Sequence, residues 1–310
     1  MRGSLLLLIS FGALLGAPHL GLSPILCVQL LSIALFALAY NILLGYGGML
    51  SFGHAMFFAL SGYLTGYAMI AWTSSALLAV LVGVTSAGIL GGVVGRLTIR
   101  RHGIYFAMAT LALGQLVFFV LYHSSFTGGE NGLQGVRRGT LFGLFSLSSD
   151  LGIYYLCLGL FLAGVFTLWR IIHSPFGHVL AATRENENRA LSLGFDVHRV
   201  KLTAFVLSAV LSGLAGSIKV LAMGFETLSD ANWHFSGQVI LMCLLGGMST
   251  FWGPAAGAVL IVGTEIWLAG AYGEWATVFM GVLFVLCVLF FRDGIVGRIS
   301  YYRFKDGVQK

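Results

Sequence analysis

Apolar runs close to twenty residues long recur along almost the whole chain, and this feature limits its fold more than any other. About twenty consecutive apolar residues are needed for a helix to cross the hydrocarbon core of a bilayer. Only 9% of the sequence is charged and 58% is hydrophobic, whereas a soluble domain has about 25% charged residues. The sequence therefore predicts an all-α polytopic membrane protein and excludes a soluble globular core.

The apolar runs predict about ten transmembrane helices, in a range of eight to ten. Eight is the count if 25–72 or 236–270 contains re-entrant pieces. Arg2 before the first run also resembles the start of a signal peptide, but no small-residue cleavage site closes the run, so we keep it as a span. The ten segments are 5–22, 25–44, 50–72, 76–95, 104–123, 151–172, 203–222, 236–250, 253–270 and 274–292.

The basic residues indicate the orientation of these spans. When the sides alternate, all 17 Lys and Arg except Arg137, Arg138 and Lys219 fall on one side. The positive-inside rule makes that side cytoplasmic. Both termini and the segment 173–202 are then inside, the loop 124–150 is periplasmic, and 1–310 form a single transmembrane domain. Lys219 lies near a span end, where we expect its long side chain to extend toward the surface.

The segment 173–202 is the one dense cluster of charges between two long apolar runs. Ser174 is a good N-cap and Pro175 suits the first helical position, whereas Gly194 is typical of a residue just past a helix end. These signals predict a helix or a helix-turn-helix on the cytoplasmic surface. On charge alone, an ordinary solvated helix explains the segment equally well.

Several sequence motifs that would indicate an enzyme or a metal protein are missing. No Gly-Lys dipeptide occurs, so the chain has no P-loop of its own. There is no HExxH motif and no Ser/His/Asp set, and the basic residues spread over loops rather than over one nucleic-acid-binding face. The cysteines lie in apolar runs without metal-ligand spacing; they are Cys27, Cys157, Cys243 and Cys287. We therefore expect no catalytic residue, no bound metal and no nucleic-acid partner.

Polar residues inside spans are costly and usually face a protein interior or a water path. The glycines of Gly45–Gly53 are able to break a helix there and expose backbone groups to a small ligand, although a tight cytoplasmic turn is the alternative. GMLSFGHA (48–55) is similar to GMSTFWGPA (247–255), which indicates either an internal duplication or chance likeness of glycine-rich turns. The candidate pathway residues are Asn41, Gly48, Ser51, His54, Thr110, Gln115 and Gln238.

Five stretches resemble, in order, the permeases of branched-chain amino-acid ABC importers, in particular the LivM-like subunit. They are ALAYNILLGYGGMLSFGHAMFFALSGY (37–63), GIYFAMATLALGQ (103–115), TGGENGL (127–133), RENENRALSLGFDVHRVKLTAFVLSAVLSGLAGSI (184–218) and LLGGMSTFWGPAAGAVL (244–260). The resemblance covers roughly 25–295. One departure is Met49, where the family often has Gln.

The resemblance implies a multi-pass permease subunit of a bacterial inner membrane, with 173–202 as the helical segment that couples it to ATPases. The implied partners are two cytoplasmic ABC ATPases, a second homologous permease in a heterodimer, a periplasmic or lipid-anchored binding protein, and membrane lipid. ATP and Mg²⁺ would be used by the ATPases, with no cofactor on this chain. The implied coupling residues are Arg184, Glu185, Asn186, Glu187, Arg189, Ala190, Leu193 and Gly194, with burial supplied by Leu191 and Phe195.

The cargo and the class of transporter leave alternatives. The resemblance implies inward transport of branched-chain or other hydrophobic amino acids, but related permeases for urea or short amides share these motifs. An ion-coupled secondary transporter is the alternative from a different class, and it predicts paired ionisable residues in mid-span. The longest periplasmic loop either meets a binding protein or is a solvated connector; its candidate docking residues are Gly128, Gly129, Glu130 and Arg137, beside Arg138.

Overall fold

The structure is a computed structural model that describes residues 23–141, 145–146, 149–248 and 250–275, with a few isolated positions outside these ranges. The described chain is built almost entirely of helices. They are α1 (Pro24–Asn41), α2 (Ala55–Ala71), α3 (Ala76–Thr98), α4 (Ile104–His123), α5 (Asp150–Ile172), α6 (Pro175–Glu185), α7 (Glu187–Ser192), α8 (Val197–Met223), α9 (Trp233–Gly246) and α10 (Gly253–Tyr272).

Six of these helices are long and apolar enough to cross a membrane: α1 with its extension to Tyr46, α3, α4, α5, α8 and α10. The apolar helices α2 and α9 are shorter. This confirms the predicted all-α polytopic class, with eight apolar helices in the described part of the chain. The predicted first span, 5–22, lies outside the described residues apart from residue 18, and most of the last, 274–292, does as well.

Helices α1 and α8 form the centre of the bundle. In each, 78% of the most apolar stretch is buried, against 33% in α3 and α4. Helix α8 packs against α1, α2, α3 and α5. The outward faces of α3 and α4 carry large exposed apolar side chains such as Ile89 and Met108, as expected for surfaces that contact lipid.

Small residues let α2, α3 and α8 approach closely. A Cβ on Gly216 would lie 2.0 Å from the carbonyl oxygen of Phe58, and one on Gly213 would lie 2.5 Å from the Cβ of Ala87. Hydroxyl pairs add cross-links, because Ser217 Oγ lies 2.8 Å from the Ser61 hydroxyl and 2.8 Å from that of Thr65. Small residues at such positions are typical of closely packed transmembrane helices.

The first glycine-rich motif breaks the path of the chain, as one of the two sequence alternatives predicts. Helix α1 passes into a π-helical turn, Ile42–Tyr46, and residues 47–54 are then non-helical until α2 begins at Ala55. Gly48 has a φ of 65°, which a residue with a Cβ rarely adopts. The predicted span 50–72 is therefore wrong at its start, because apolar composition alone does not reveal a backbone break.

The similar motif near the C-terminal end forms a second non-helical connection, between the end of α9 at Gly246 and the start of α10 at Gly253. The two connections meet. Asn41 donates a hydrogen bond from Nδ2 to the carbonyl oxygen of Thr250 at 3.2 Å. The carbonyl oxygen of Met248 lies so near Gly45 that a Cβ there would be 2.3 Å away. Whether the likeness reflects duplication stays a prediction.

The long loop and the segment 173–202 flank opposite ends of α5. That helix has 23 residues, which corresponds to about 34 Å at 1.5 Å per residue. We call the two ends of the bundle the loop end and the coupling end. At the loop end, Leu133 and Glu226 exchange two backbone hydrogen bonds of 2.9 Å. A short hairpin there pairs two strands of two residues each, β1 (Thr140–Leu141) and β2 (Phe145–Ser146).

Candidate functional site

The segment 173–202, which we call the coupling segment after its predicted role, contains a helix-turn-helix made by α6 and α7. Ser174 caps α6 by accepting a hydrogen bond from the Gly177 amide at 3.5 Å, and Pro175 takes the first helical position. Asn186 interrupts the helix with extended backbone and caps α7 by accepting from the Arg189 amide at 3.0 Å. Gly194 follows with a φ of 85°. The predicted start and end signals are confirmed.

One face of this segment is buried and the other is exposed. Leu180 and Ala190 pack into the protein, whereas Leu191, Leu193 and Phe195 are 52%, 69% and 41% exposed. These three residues, here called the apolar triad, lie outside the helices that are long enough to span a membrane. They lie within five consecutive residues, and grouped exposed apolar side chains outside a span are typical of a protein contact.

Arg184 extends toward the bundle. Its Nη1 donates a hydrogen bond to the carbonyl oxygen of Gly45, in the π-helical turn. Its stem crosses Gly48 so closely that a Cβ on Gly48 would lie 2.9 Å from Arg184 Cγ. Arg184 thus ties the coupling helix to the broken segment of the transmembrane region.

Glu187 is also held within the chain. Its carboxylate accepts a hydrogen bond of 2.7 Å from Lys201 Nζ, at the start of α8, and His102 Nδ1 lies 3.7 Å from the same oxygen. Glu185 and Arg189 are exposed. Of the predicted coupling residues, Arg184 and Glu187 therefore join the segment to the bundle, and Ala190 is buried against it. Glu185, Arg189 and Leu193 remain on its outer face.

The candidate pathway residues surround the broken segment 47–54 and satisfy its backbone. The Ser51 amide donates to Tyr40 Oη at 3.0 Å, and Tyr40 donates to the Ser51 carbonyl at 2.9 Å. The Phe52 amide donates to Thr110 Oγ1 at 3.3 Å. Irregular backbone at membrane depth requires such partners, because no water replaces the lost helical hydrogen bonds.

His54 is fully buried among aromatic rings. Its Nε2 lies 2.8 Å from Ser208 Oγ, which donates its own proton to the carbonyl oxygen of Ala39 at 2.7 Å. Because the serine proton is already used, His54 must donate from Nε2, which leaves Nδ1 as an acceptor in the neutral ring. His54 therefore links α1, α2 and α8.

The structure brings Ser51, His54 and Thr110 together around this segment, and Asn41 joins them through the second connection. Gly48 lies at its coupling-end side, under Arg184. Gln115 is five residues beyond Thr110 on α4 and is half-buried. Gln238 lies elsewhere, in the wall of a cavity at the loop end. The role of these residues in a pathway stays a prediction.

A buried ionic cluster at the loop end was missed from the sequence. Lys219 Nζ donates to Asp230 Oδ2 and lies 3.8 Å from Glu226 Oε2. Lys219 is only 9% exposed and Glu226 is fully buried. The expectation that Lys219 extends to the surface is wrong, because two acidic residues after α8 fold back onto it. Acidic residues seven and eleven positions after a lysine were the available signal.

Burial has the largest effect on the pKa of Glu226, which lies between the helices α8 and α9. It raises the pKa of Glu226 well above the ordinary value of 4.5, although the nearby charge of Lys219 opposes the shift. Gly62 makes room for the carboxyl group, since a Cβ there would lie 2.7 Å from Glu226 Cδ.

The predicted docking residues all lie at the loop end. Gly128, Glu130 and Arg137 are exposed and Gly129 is partly so. Glu130 accepts a hydrogen bond from Tyr122 at 2.9 Å, which fixes it on the end of α4. The structure therefore places these residues on one surface, on the opposite side of the bundle from α6 and α7. Their contact with a binding protein stays a prediction.

Comparison with known proteins decides the family. Residues 25–288 match the family described as the permease component of branched-chain amino acid transport systems. The chain belongs to that family. It is 30% identical over 290 residues to the high-affinity branched-chain amino acid transport system permease protein LivM of Salmonella typhimurium, covering 84% of this chain and 67% of the relative. The predicted family resemblance is confirmed.

Other relatives are named for the same cargo or for a different one. LivM of Escherichia coli is 28% identical over 305 residues, covering 89% of this chain and 70% of that protein. The ribose import permease protein RbsC of Bacillus subtilis is 31% identical over 171 residues, covering 52% of each chain. No solved structure matches this chain. The family and the apolar helices together make the chain a multi-pass permease component of the bacterial inner membrane.

Proposed function

We propose that this chain is one permease subunit of an ATP-driven importer that moves branched-chain or other hydrophobic amino acids inward. The observation that carries the proposal is the coupling segment, in which an exposed apolar triad and a transmembrane anchor lie on one short helix-turn-helix. Two cytoplasmic ABC ATPases bind the triad and hydrolyse ATP with Mg²⁺. This chain binds no cofactor and catalyses no reaction.

Movement is transmitted from α6 to the transmembrane region through Arg184. When the ATPases close, they displace α6 and α7. The start of α8 moves with them, because Glu187 on α7 is paired with Lys201 on α8. Arg184 pulls on the Gly45 carbonyl, where α1 has left regular α-helical geometry. Gly45 also contacts Met248 in the second connection. The broken segment 47–54 and the connection between α9 and α10 therefore move together.

The remaining partners complete the machine. A second homologous permease pairs with this chain in a heterodimer and encloses the pathway. A periplasmic or lipid-anchored binding protein delivers the amino acid to the loop end, where Gly128, Glu130 and Arg137 are exposed. No mid-span pair of an acid and a base is found within the described spans apart from the cluster at the end of α8, which disfavours an ion-coupled carrier.

Purification of the tagged chain from its own membranes tests the proposal. We expect an ATPase with a GxxxxGK[ST] motif and a second permease to accompany it. Proteoliposomes holding that complex, its binding protein and internal ATP should accumulate leucine, and ribose and urea should not compete. Isolation of the chain alone, in a detergent that preserves a known importer, would contradict the proposal. Uptake of urea or ribose instead of leucine would retain the machine and replace its cargo.

A variant tests the role of the triad. Leu193→Asp places a charge on the most exposed triad residue, so we expect ATPase subunits to be lost from the purified complex. The matched control is Gln134→Asp, an exposed change in the loop at the loop end of the bundle. A charge at the exposed span residue Leu116 is a poorer control, because it would disturb lipid contacts. Full ATPase retention in Leu193→Asp would remove the triad from the coupling surface.

A further inference from the structure

A cavity of about 710 Å³ lies at the loop end, between α1, α8, α9 and α10. This volume falls in the range of about 300–1,000 Å³ that small-molecule sites occupy. It is separate from the coupling segment and from the broken segment 47–54. Its walls combine four acidic or basic side chains, Lys219, Asp230, His234 and Glu265, with an apolar surface, and this combination indicates what kind of ligand fits.

The basic group of the cavity is fixed in place. Lys219 is held by Asp230 and Glu226 on one side, and its Nζ lies 5.8 Å from the centre of the Phe58 ring on the other. Thr227 Oγ1 donates to Asp230 Oδ2 at 2.6 Å and so fixes the carboxylate as well. An ordered ammonium at a cavity wall can bind a carboxylate without the entropy cost of ordering a free lysine.

A second group that favours anions lies beside it. Helix α9 starts at Trp233, and its cap residue Asn232 accepts a hydrogen bond from the His234 amide at 3.1 Å. Asn232 and His234 both line the cavity. The partial positive charge of a helix N-terminus favours a carboxylate at this position, in addition to the charge of Lys219.

The acidic wall is formed by Glu265 on α10. No ion pair involves it within the described part of the chain. Asp230 would share Lys219 with a ligand carboxylate, whereas Glu265 lies on a different helix, α10. A ligand that carries a primary ammonium would neutralise Glu265.

Part of the remaining wall is apolar and suits a branched aliphatic side chain. Phe225, Phe235, Gln29 and Gln238 line the same cavity, together with an aliphatic patch shared by α1, α8, α9 and α10. The residues of this patch are Ile33, Met223, Met242, Val262 and Ile266. Burial of apolar area against such a patch contributes roughly 25 cal/mol per Å².

We propose that this cavity binds a zwitterionic α-amino acid with an apolar side chain during its entry. The ligand carboxylate lies against Lys219 and the N-terminus of α9, its ammonium pairs with Glu265, and its side chain lies on the aliphatic patch. This assignment rests on the proposed function for its choice of cargo. It adds a specific site, because the candidate pathway residues from the sequence lie elsewhere, apart from Gln238.

Protection of an introduced cysteine tests the site. Ala269 lines the cavity, whereas the next residue, Gly270, has nothing within 4 Å of an added Cβ and serves as a control at the same depth. The complex is reconstituted in nanodiscs with Ala269→Cys or Gly270→Cys and labelled with a maleimide. The native Cys27, Cys157 and Cys243 are buried, and Cys287→Ala removes the fourth.

We expect saturating leucine to slow labelling of Ala269→Cys at least fivefold and to leave Gly270→Cys unchanged. Isoamylamine, which lacks the carboxylate of leucine, and 4-methylpentanoate, which lacks its ammonium, should each protect poorly. Adding Glu265→Gln should raise the leucine concentration for half-protection by roughly threefold, since one solvent-exposed charge pair is lost. Glu265 is exposed, so this change should not disturb folding.

Leucine uptake by the same complex, reconstituted in proteoliposomes, separates the two proposals. Normal uptake with unprotected Ala269→Cys would overturn the site and leave the proposed function intact. Protection without uptake would retain the site and contradict the transport function. Equal protection by isoamylamine would replace the zwitterion site by a simple cation site.

Discussion

Replacing Arg184 by Met tests how force passes from the coupling segment to the membrane. Methionine keeps an apolar stem over Gly48 but removes the donor to the Gly45 carbonyl. A hydrogen bond from a charged group contributes about 1.5–3 kcal/mol, and we take the lower value because Arg184 as a whole is exposed to solvent. A loss of about 1.5 kcal/mol corresponds to roughly a tenfold change in an equilibrium.

We expect Arg184→Met to lower the leucine transported per ATP hydrolysed by about tenfold, with ATPase subunits still bound. The assay measures uptake and phosphate release in the same proteoliposomes. Arg189→Met is the matched control, because Arg189 is an exposed arginine of the same segment. If both variants kept the wild-type ratio of uptake to hydrolysis, the transmission step assigned to Arg184 would be refuted.

Three further changes probe the interior. Gly45→Ala would bring a Cβ within 2.3 Å of the Met248 carbonyl oxygen, so we expect a loss of about 1–3 kcal/mol in stability, seen as a lower Tm than in Gly92→Ala. Ser208→Ala leaves His54 Nε2 without its partner and should cost about 1–3 kcal/mol in the same assay. The pKa of Glu226 is raised in the folded state, so its ionisation destabilises the protein as the pH rises above 4.5. The Tm advantage of Glu226→Gln over wild type should therefore grow as the pH rises above 4.5, and a difference that does not change with pH would contradict this.

Local signals predicted much of the helix pattern. The long apolar runs gave α3, α4, α5 and α10 nearly to their ends, because hydropathy and length decide a span. The caps at Ser174, Asn186 and Gly194 depend on neighbouring residues only. The exact start of α2 at Ala55 was not predictable in this way, since the bonds that satisfy residues 51 and 52 come from Tyr40 and Thr110.

Long-range contacts explain what the sequence could not provide about the candidate sites. Arg184 was expected to face an ATPase, yet it reaches a carbonyl 139 residues earlier in the chain. Lys219 was expected at the surface, yet the return of the chain after α8 buries it beside Glu226. In both cases the residue type was conspicuous, but its partner became known only from the packing of the helices.

Photo-crosslinking at the apolar triad tests the central claim most directly. A benzoyl-phenylalanine in place of Phe195, on the coupling segment, is irradiated in intact cells and compared with the same residue in place of Tyr272, an exposed aromatic residue at the loop end of α10. The account predicts that only the Phe195 position crosslinks to a protein with a GxxxxGK[ST] motif. Failure of the Phe195 position to capture such an ATPase, in cells that import leucine through this chain, would contradict it.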